Sequence, residues 1–312
     1  MPSKTRALFE LTRLHWFPVG CDFMFWPFGW AFLSAAYRLA LPLNEVIKTT
    51  LFFALLGILV HSAGCVINDM LDRDLDRKVE RSQGRPIASG VVTRTEASVL
   101  LVVLVAALFY LFSTCGTKAF TLGVVALPIC ITTYPLMKRW MNWPSLFLGF
   151  SSSWAVPGTW VATTGHYNWG IILNIAIASC CWNCIYDTIY ACQDKKDDEK
   201  AGVKSMAVHL GRAIRPVLTL FDATFFVCLL WAGYLNDQGL PFYLMSVLAP
   251  FLLCLWHIWS FDHNDPRDCW KFFTAGRHGG AMVCVGLIVD LYFKPSSPAG
   301  GKYNFIHFFR AL

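Results

Sequence analysis

"LFFALLGILVHSAGCVINDMLDRDLDRKVERSQGRPIASG" (51–90) joins two halves of opposite character. The first is a run of apolar residues, and the second sets Asp69, Asp72, Asp74 and Asp76 within eight residues. The apolar half belongs to a span at 46–67, long enough to cross the roughly 30 Å hydrocarbon layer of a bilayer. Similar runs recur at 17–39, 97–115, 118–137, 145–163, 169–190, 213–235, 241–260 and 278–293. With 56% hydrophobic residues, 15% charged residues and a mean hydropathy of +0.48, the chain does not suit a water-facing surface. The expected fold is therefore all-α and multi-pass, with nine transmembrane helices in one domain over 1–312. Residues 1–16 form a cytoplasmic tail and 294–312 a C-terminal tail, joined by "KPSSPAGGKY" (294–303), which reads as a mobile joint.

Basic residues test this division, because segments left on the cytoplasmic side carry the excess of them. The N-terminal tail and the loops after spans 2, 4, 6 and 8, together with Arg215 at the start of the span at 213–235, hold 20 of the 26 lysines and arginines, which places the N-terminus in the cytoplasm. The net charge of +6 then reflects topology and attraction to anionic lipid, with no basic face for nucleic acid. Most of the 12 cysteines lie inside apolar spans, as in "SCCWNCIY" (179–186), and read as small buried hydrophobes. Cys181 and Cys184 form a CxxC without a second pair, so packing outweighs a metal or redox role. No cleavable transit peptide of ordinary length is expected from the first sixteen residues, which lead straight into an apolar span.

A second charged stretch, "YDTIYACQDKKDDEKAGVKS" (186–205), follows span 6, on the same side of the membrane as the first. At about 100° per residue, Asn68, Asp72 and Asp76 drift only some 80° around a helix and form one polar stripe. Asp187, Asp194 and Asp198 fall within about 20° of a common line, flanked by Asn183 and Tyr190. Two facing carboxylate stripes repel each other unless positive charge lies between them. Magnesium fits that place, since it prefers oxygen ligands and commonly bridges carboxylates to phosphate; the implied ligand is a diphosphate. Candidate bases for its outer oxygens are Arg73, Arg77 and Arg85, then Lys195 and Lys204, with Tyr134 and Lys138 in "TYPLMKRW" (133–140). Asp69, Asp74 and Asp197 lie off the stripes and read as solvated or as supporting groups. Charged runs between spans are usually solvated loops; here the repeated spacing at equivalent positions argues against that.

These strings resemble the UbiA-type intramembrane prenyltransferases, which carry NDxxDxxxD after the second helix and DxxxD after the sixth. Here the motifs read "NDMLDRDLD" and "DKKDD". "GRPIASG" (84–90), "YPLMKR" (134–139) and 186–205 are most similar to the branch that prenylates 4-hydroxybenzoate. The resemblance implies a helical bundle around a central cavity, with Mg2+ and an isoprenyl diphosphate at its cap. Asn68, Asp72, Asp76, Asp194 and Asp198 would hold the metals, and Lys138 and Arg85 the diphosphate. The opening "RLHWFPVGCDF" (13–23) departs from the family's Arg-x-x-x-Pro by one residue and puts Trp16 and Phe17 where a basic residue is common. That departure, and the lack of an evident leader, point toward farnesyl or similar transfer to an aromatic acid in specialised metabolism, in the endoplasmic reticulum.

The chemistry implied is loss of diphosphate to leave an allylic carbocation, which a phenol ring then attacks. Metals and arginines neutralise the leaving group, and an apolar cavity excludes water. Asp22 and His257, polar groups within spans, are candidates for acceptor contact. Two rivals are a terpene cyclase on the same scaffold, needing no acceptor, and a membrane transporter. A transporter would place its acids near the bilayer midplane, whereas these lie at helix ends.

Overall fold

The computed structural model describes residues 3–294, and among these residues no strand occurs. The expected joint at 294–303 lies, apart from Lys294, outside the described residues.

Helix α1 (Lys4–Leu11) starts at Ser3, whose hydroxyl accepts the Arg6 amide at 3.3 Å, the usual N-cap bond. It buries Ala7 and Leu11 against Val66, Ile87 and Val92, so the N-terminal segment is docked rather than trailing. Helix α2 (Cys21–Leu39) is apolar nearly all round and buried along most of its length, as a helix at the centre of a bundle must be. It begins at Cys21, and the expected start at 17 is taken up by the turn that follows Leu14–Trp16.

Helix α3 (Leu43–Asp76) runs unbroken through the apolar half and the acid half of the opening motif. Helix α4 (Arg94–Ser113) starts with a Thr93–Glu96 capping box, and α5 (Thr117–Trp140) carries Pro128 and Pro135 inside it. The expected span at 145–163 is two helices, α6 (Pro144–Ser153) and α7 (Ala155–Thr164), broken at Trp154. Ser152 and Ser153 donate their hydroxyls to the Gly149 carbonyl at 2.9 and 2.7 Å, a back-bonding that bends helices.

Helix α8 (Trp169–Ala191) tightens into a 3₁₀ turn at Cys192–Asp194 before α9 (Lys195–Ala201). Helix α10 (Met206–Leu210) leads into α11 (Ile214–Leu235), and a π-helical stretch at Phe242–Leu248 into α12 (Ala249–Ser260). Helix α13 (Pro266–Phe293) starts twelve residues before the expected 278, because Asp265 caps it and Pro266 takes the first position. The charges at Arg267, Lys271 and Arg277 belong to this helical extension and not to a loop.

Among the described residues, seven helical segments are long and apolar enough to cross a membrane. They answer seven of the nine expected spans; the other two expectations fall on α2 and on the α6–α7 pair. Trp26, Pro27, Gly29 and Trp30 dilute the hydropathy of α2 without exposing it.

Candidate functional site

The last turns of α3 concentrate carboxylates at the negative end of a helix dipole, where each one needs a cation. Three distant segments supply them. Arg13, after α1, donates both ways to Asp69, with Nη2 at 2.8 and 2.9 Å from the two oxygens. Arg85, in the loop after α3, grips Asp76 at 2.9 and 3.0 Å and reaches Asp69 at 3.3 Å. Lys138, at the end of α5, donates to Asp72 Oδ2 at 2.9 Å. Asp69 is only 1% exposed and bridges two arginines, so of the two expected roles, solvated or supporting, the structure gives it the supporting one. Asp74 takes the solvated one, pointing outward with Arg77 3.8 Å away. Arg77 itself donates to the Ala88 carbonyl and fastens the loop instead of facing the acids.

The second motif is split by the 3₁₀ turn, so the single line of Asp187, Asp194 and Asp198 drawn for a continuous helix is not kept. Asp187 faces the interior near Ser145 and the Lys138 charge. Asp194 is held by a two-pronged bond from Arg81, at 2.8 and 2.6 Å, and the Arg81 guanidinium lies 4.8 Å from the Tyr190 ring centroid. Asp197 accepts the Glu80 amide at 3.3 Å, while Asp198 is buried beside Ser205 within electrostatic reach of Lys138. The two motifs therefore share one end of the bundle, joined by Arg81 and Lys138.

Burial on its own would lower the Arg85 guanidinium; Asp69 and Asp76 reverse this and leave it above its ordinary value. Arg81 behaves alike, burial being outweighed by Tyr190 and Asp194. Both remain cations throughout the physiological range.

Beneath these groups lies a cavity of about 300 Å3. Its charged end is formed by Asn68, Asp69, Arg85, Tyr134, Lys138, Asn183, Asp187 and Tyr190, and its walls by Phe23, Phe28, Phe53, Phe112 and Phe273 with aliphatic neighbours. Asn183 donates to Ser152 at 2.9 Å, fixing its amide at the wall. Asp72 and Asp76 stand immediately behind, through Lys138 and Arg85.

Four expected contacts lie elsewhere. Lys204 donates its amide to the Lys138 carbonyl and its ammonium to the Trp140 carbonyl, closing the loop onto α5. Lys195 starts α9 outside the cavity wall. Asp22 accepts the Gly20 and Phe23 amides at 3.0 Å each, and His257 Nδ1 lies 2.9 Å from the Tyr186 hydroxyl between buried helices. Neither Asp22 nor His257 is in the cavity wall. Arg13 and Arg81 were the unforeseen members, since no periodicity links either to the acid it holds.

Among the described residues no three histidine, cysteine or acidic side chains close around a common point. The donor set still suits a hard cation. It consists of carboxylate and amide oxygens, and Asp72 Oδ1 is buried without any hydrogen-bond partner. An acceptor oxygen left so is costly unless a cation or donor meets it.

The description of the UbiA prenyltransferase family matches residues 24–281. The UbiA prenyltransferase claS of Ampulloclitocybe clavipes is 40% identical, the alignment covering 92% of each chain. The mitochondrial 4-hydroxybenzoate polyprenyltransferase of Schizosaccharomyces pombe is 36% identical over 89% of this chain and 78% of its own. Among solved structures, a UbiA homolog from Aeropyrum pernix K1 superposes with a TM-score of 0.72 at 22% identity, covering 86% of this chain and 98% of that one. A UbiA homolog from Archaeoglobus fulgidus bound to GPP and Mg2+ gives 0.58 at 16% identity, covering 93% and 100%.

Proposed function

This chain belongs to the UbiA prenyltransferase family and is an integral membrane prenyltransferase, and from that premise we propose that it transfers a farnesyl or similar group from its diphosphate to an aromatic phenolic acid. The observation that carries this reading is one cavity with a charged end and aromatic walls. Such a cavity suits a molecule with a polyanionic head and a long apolar tail, and it keeps water from an allylic cation. The topology we propose counts α2 and the α6–α7 pair as crossings beside the seven long helices, giving nine.

Magnesium, when bound, supplies positive charge against the diphosphate oxygens. Asn68, Asp72 and Asp76 on α3, with Asp187, Asp194 and Asp198 across from them, are the groups that would hold it. Lys138 and Arg85 sit at the charged end with their cations fixed by Asp72 and Asp76, so they meet the charge that builds on the departing diphosphate without reorienting. Tyr134 and Tyr190 narrow that end. Lys195 and Lys204 we assign to the surrounding positive field rather than to contact. Phe23, Phe28 and Phe273 line the apolar part of the cavity, where aromatic rings exclude water and suit a cation. The C–O bond to diphosphate breaks first, the phenol ring then attacks the allylic cation to form the C–C bond, and the ring loses its proton.

Protein in nanodiscs given magnesium and farnesyl diphosphate, with and without phenolic acids, tests this. Prenylated phenol is expected. A hydrocarbon or terpenol formed without acceptor would make the protein a cyclase, and no turnover under any condition would remove the proposed transfer from farnesyl diphosphate to a phenolic acid.

Arg81 bears on the metal through Asp194. Arg81→Ala is expected to raise the magnesium concentration for half-maximal rate by about tenfold, the scale typical of groups that orient a ligand. An unchanged magnesium titration would show that Asp194 does not depend on it.

A further inference from the structure

A second cleft, about 350 Å3 in volume, opens on the charged side of the bundle. The N-terminal segment around His15, the loop around Gly84 and Gln193 after α8 meet there. Four residues, Arg13, Trp16, Arg85 and Trp270, border both this cleft and the deep cavity. The partition between the two is thus one side chain thick.

Its make-up is specific. Trp16 meets Trp270 edge-on with centroids 5.4 Å apart, and the Arg13 guanidinium lies 5.9 Å from the Trp16 ring. The segment carrying Trp16 runs between two backbone positions with positive φ, Arg13 at 59° and Gly20 at 89°. At Gly20 a Cβ would stand 2.7 Å from the His61 ring, so that turn needs glycine. Trp16 is 39% exposed, which leaves a large ring at the mouth of a charged cleft.

We propose that this cleft is the water-side docking site for the aromatic carboxylate acceptor, and that Trp16 and Trp270 form the partition it passes on the way to the cavity. The inference rests on the transferase reading above. A prenyl diphosphate carries a lipid tail and has a route through the bilayer, whereas an aryl carboxylate is a charged solute that hydrocarbon rejects. The cleft offers both halves of what such an acid needs. The Trp16 and Trp270 indoles suit a planar ring, and the N–H groups of Arg13, Arg81 and Arg85 that are not given to Asp69, Asp194 and Asp76 suit its carboxylate, with Glu10 the one acid on the wall. His15 adds a flat ring, since burial and then Arg13 lower its imidazole and favour the neutral form. Free phosphate or diphosphate would use the guanidinium groups but gain nothing from the indoles.

Gly84 provides the test, because it borders the cleft and not the cavity, and a Cβ placed there meets nothing within 4 Å. Gly84→Trp therefore fills the cleft without displacing the site below. In nanodiscs it is expected to raise the KM for 4-hydroxybenzoate about tenfold while kcat/KM for farnesyl diphosphate stays at the wild-type value at saturating acceptor. Equilibrium dialysis of labelled 4-hydroxybenzoate, without prenyl diphosphate, is expected to show weakened binding by Gly84→Trp and near-normal binding by Gly84→Ala. Wild-type binding and KM in a folded Gly84→Trp protein would overturn the docking site. Slowed release of inorganic diphosphate with an unchanged acceptor KM would also overturn it, making the cleft a product exit. Acceptor-free turnover by the wild-type protein would instead remove the transferase reading itself.

Discussion

Asp72→Ala is expected to lower kcat by about 10³-fold or more while the protein still folds into the membrane, on the scale seen when a group that stabilises developing charge is removed. Asp72 is 2% exposed; one oxygen holds Lys138 at 2.9 Å and the other has no partner. The substitution therefore removes a candidate metal ligand and the counter-ion that fixes the cation at the diphosphate end. Asp194→Ala, which frees Arg81, is expected to fail to a similar degree. Asp74→Ala, on the outer side of the same turns, is expected to keep the wild-type rate. Initial rates with farnesyl diphosphate, beside circular dichroism of each variant, decide the matter. Normal turnover by Asp72→Ala or Asp194→Ala would remove the metal assignment.

The other large effect is on folding. Gly149 lies where α6 meets α8, and a Cβ there would stand 2.3 Å from the Cys180 carbonyl oxygen. That neighbour is backbone and has no rotamer to change, so any side chain must lift one helix from the other. Gly149→Val is expected to cost about 3 kcal/mol, the upper part of the usual range for overpacking. The lift would also part Ser152 from Asn183, opening the cavity wall. Gly158, where a Cβ meets nothing within 4 Å, is the contrast: Gly158→Ala is expected to be near neutral for stability. Thermal unfolding in detergent compares the two, and equal midpoints would show that the α6–α8 contact tolerates a side chain.

The first acid stripe could be read before folding because α3 is one uninterrupted helix, so residue spacing translates directly into direction. The second could not, because the turn at Cys192–Asp194 changes the residues per turn between Asp187 and Asp194, and no sequence signal marks that change. Which of its two expected roles Asp69 takes was hidden for a different reason. A stripe has a single favoured face, but the docked N-terminal segment brings Arg13 to another face of α3. The loops hold many arginines, and only tertiary structure selects Arg13 and Arg81 from among them. The crossing at 145–163 read as one span because hydropathy averages over the break at Trp154.

Helix α3 has 34 residues, and at 1.5 Å per residue it is about 51 Å long against a hydrocarbon layer of about 30 Å. No break in the helix separates its apolar part from the part that carries Asp72 and Asp76. A change in acyl-chain length is therefore expected to reach the acid end as a shift or tilt of one continuous helix instead of being absorbed in a joint. Rates measured in short-chain and long-chain bilayers are expected to differ for the identical polypeptide.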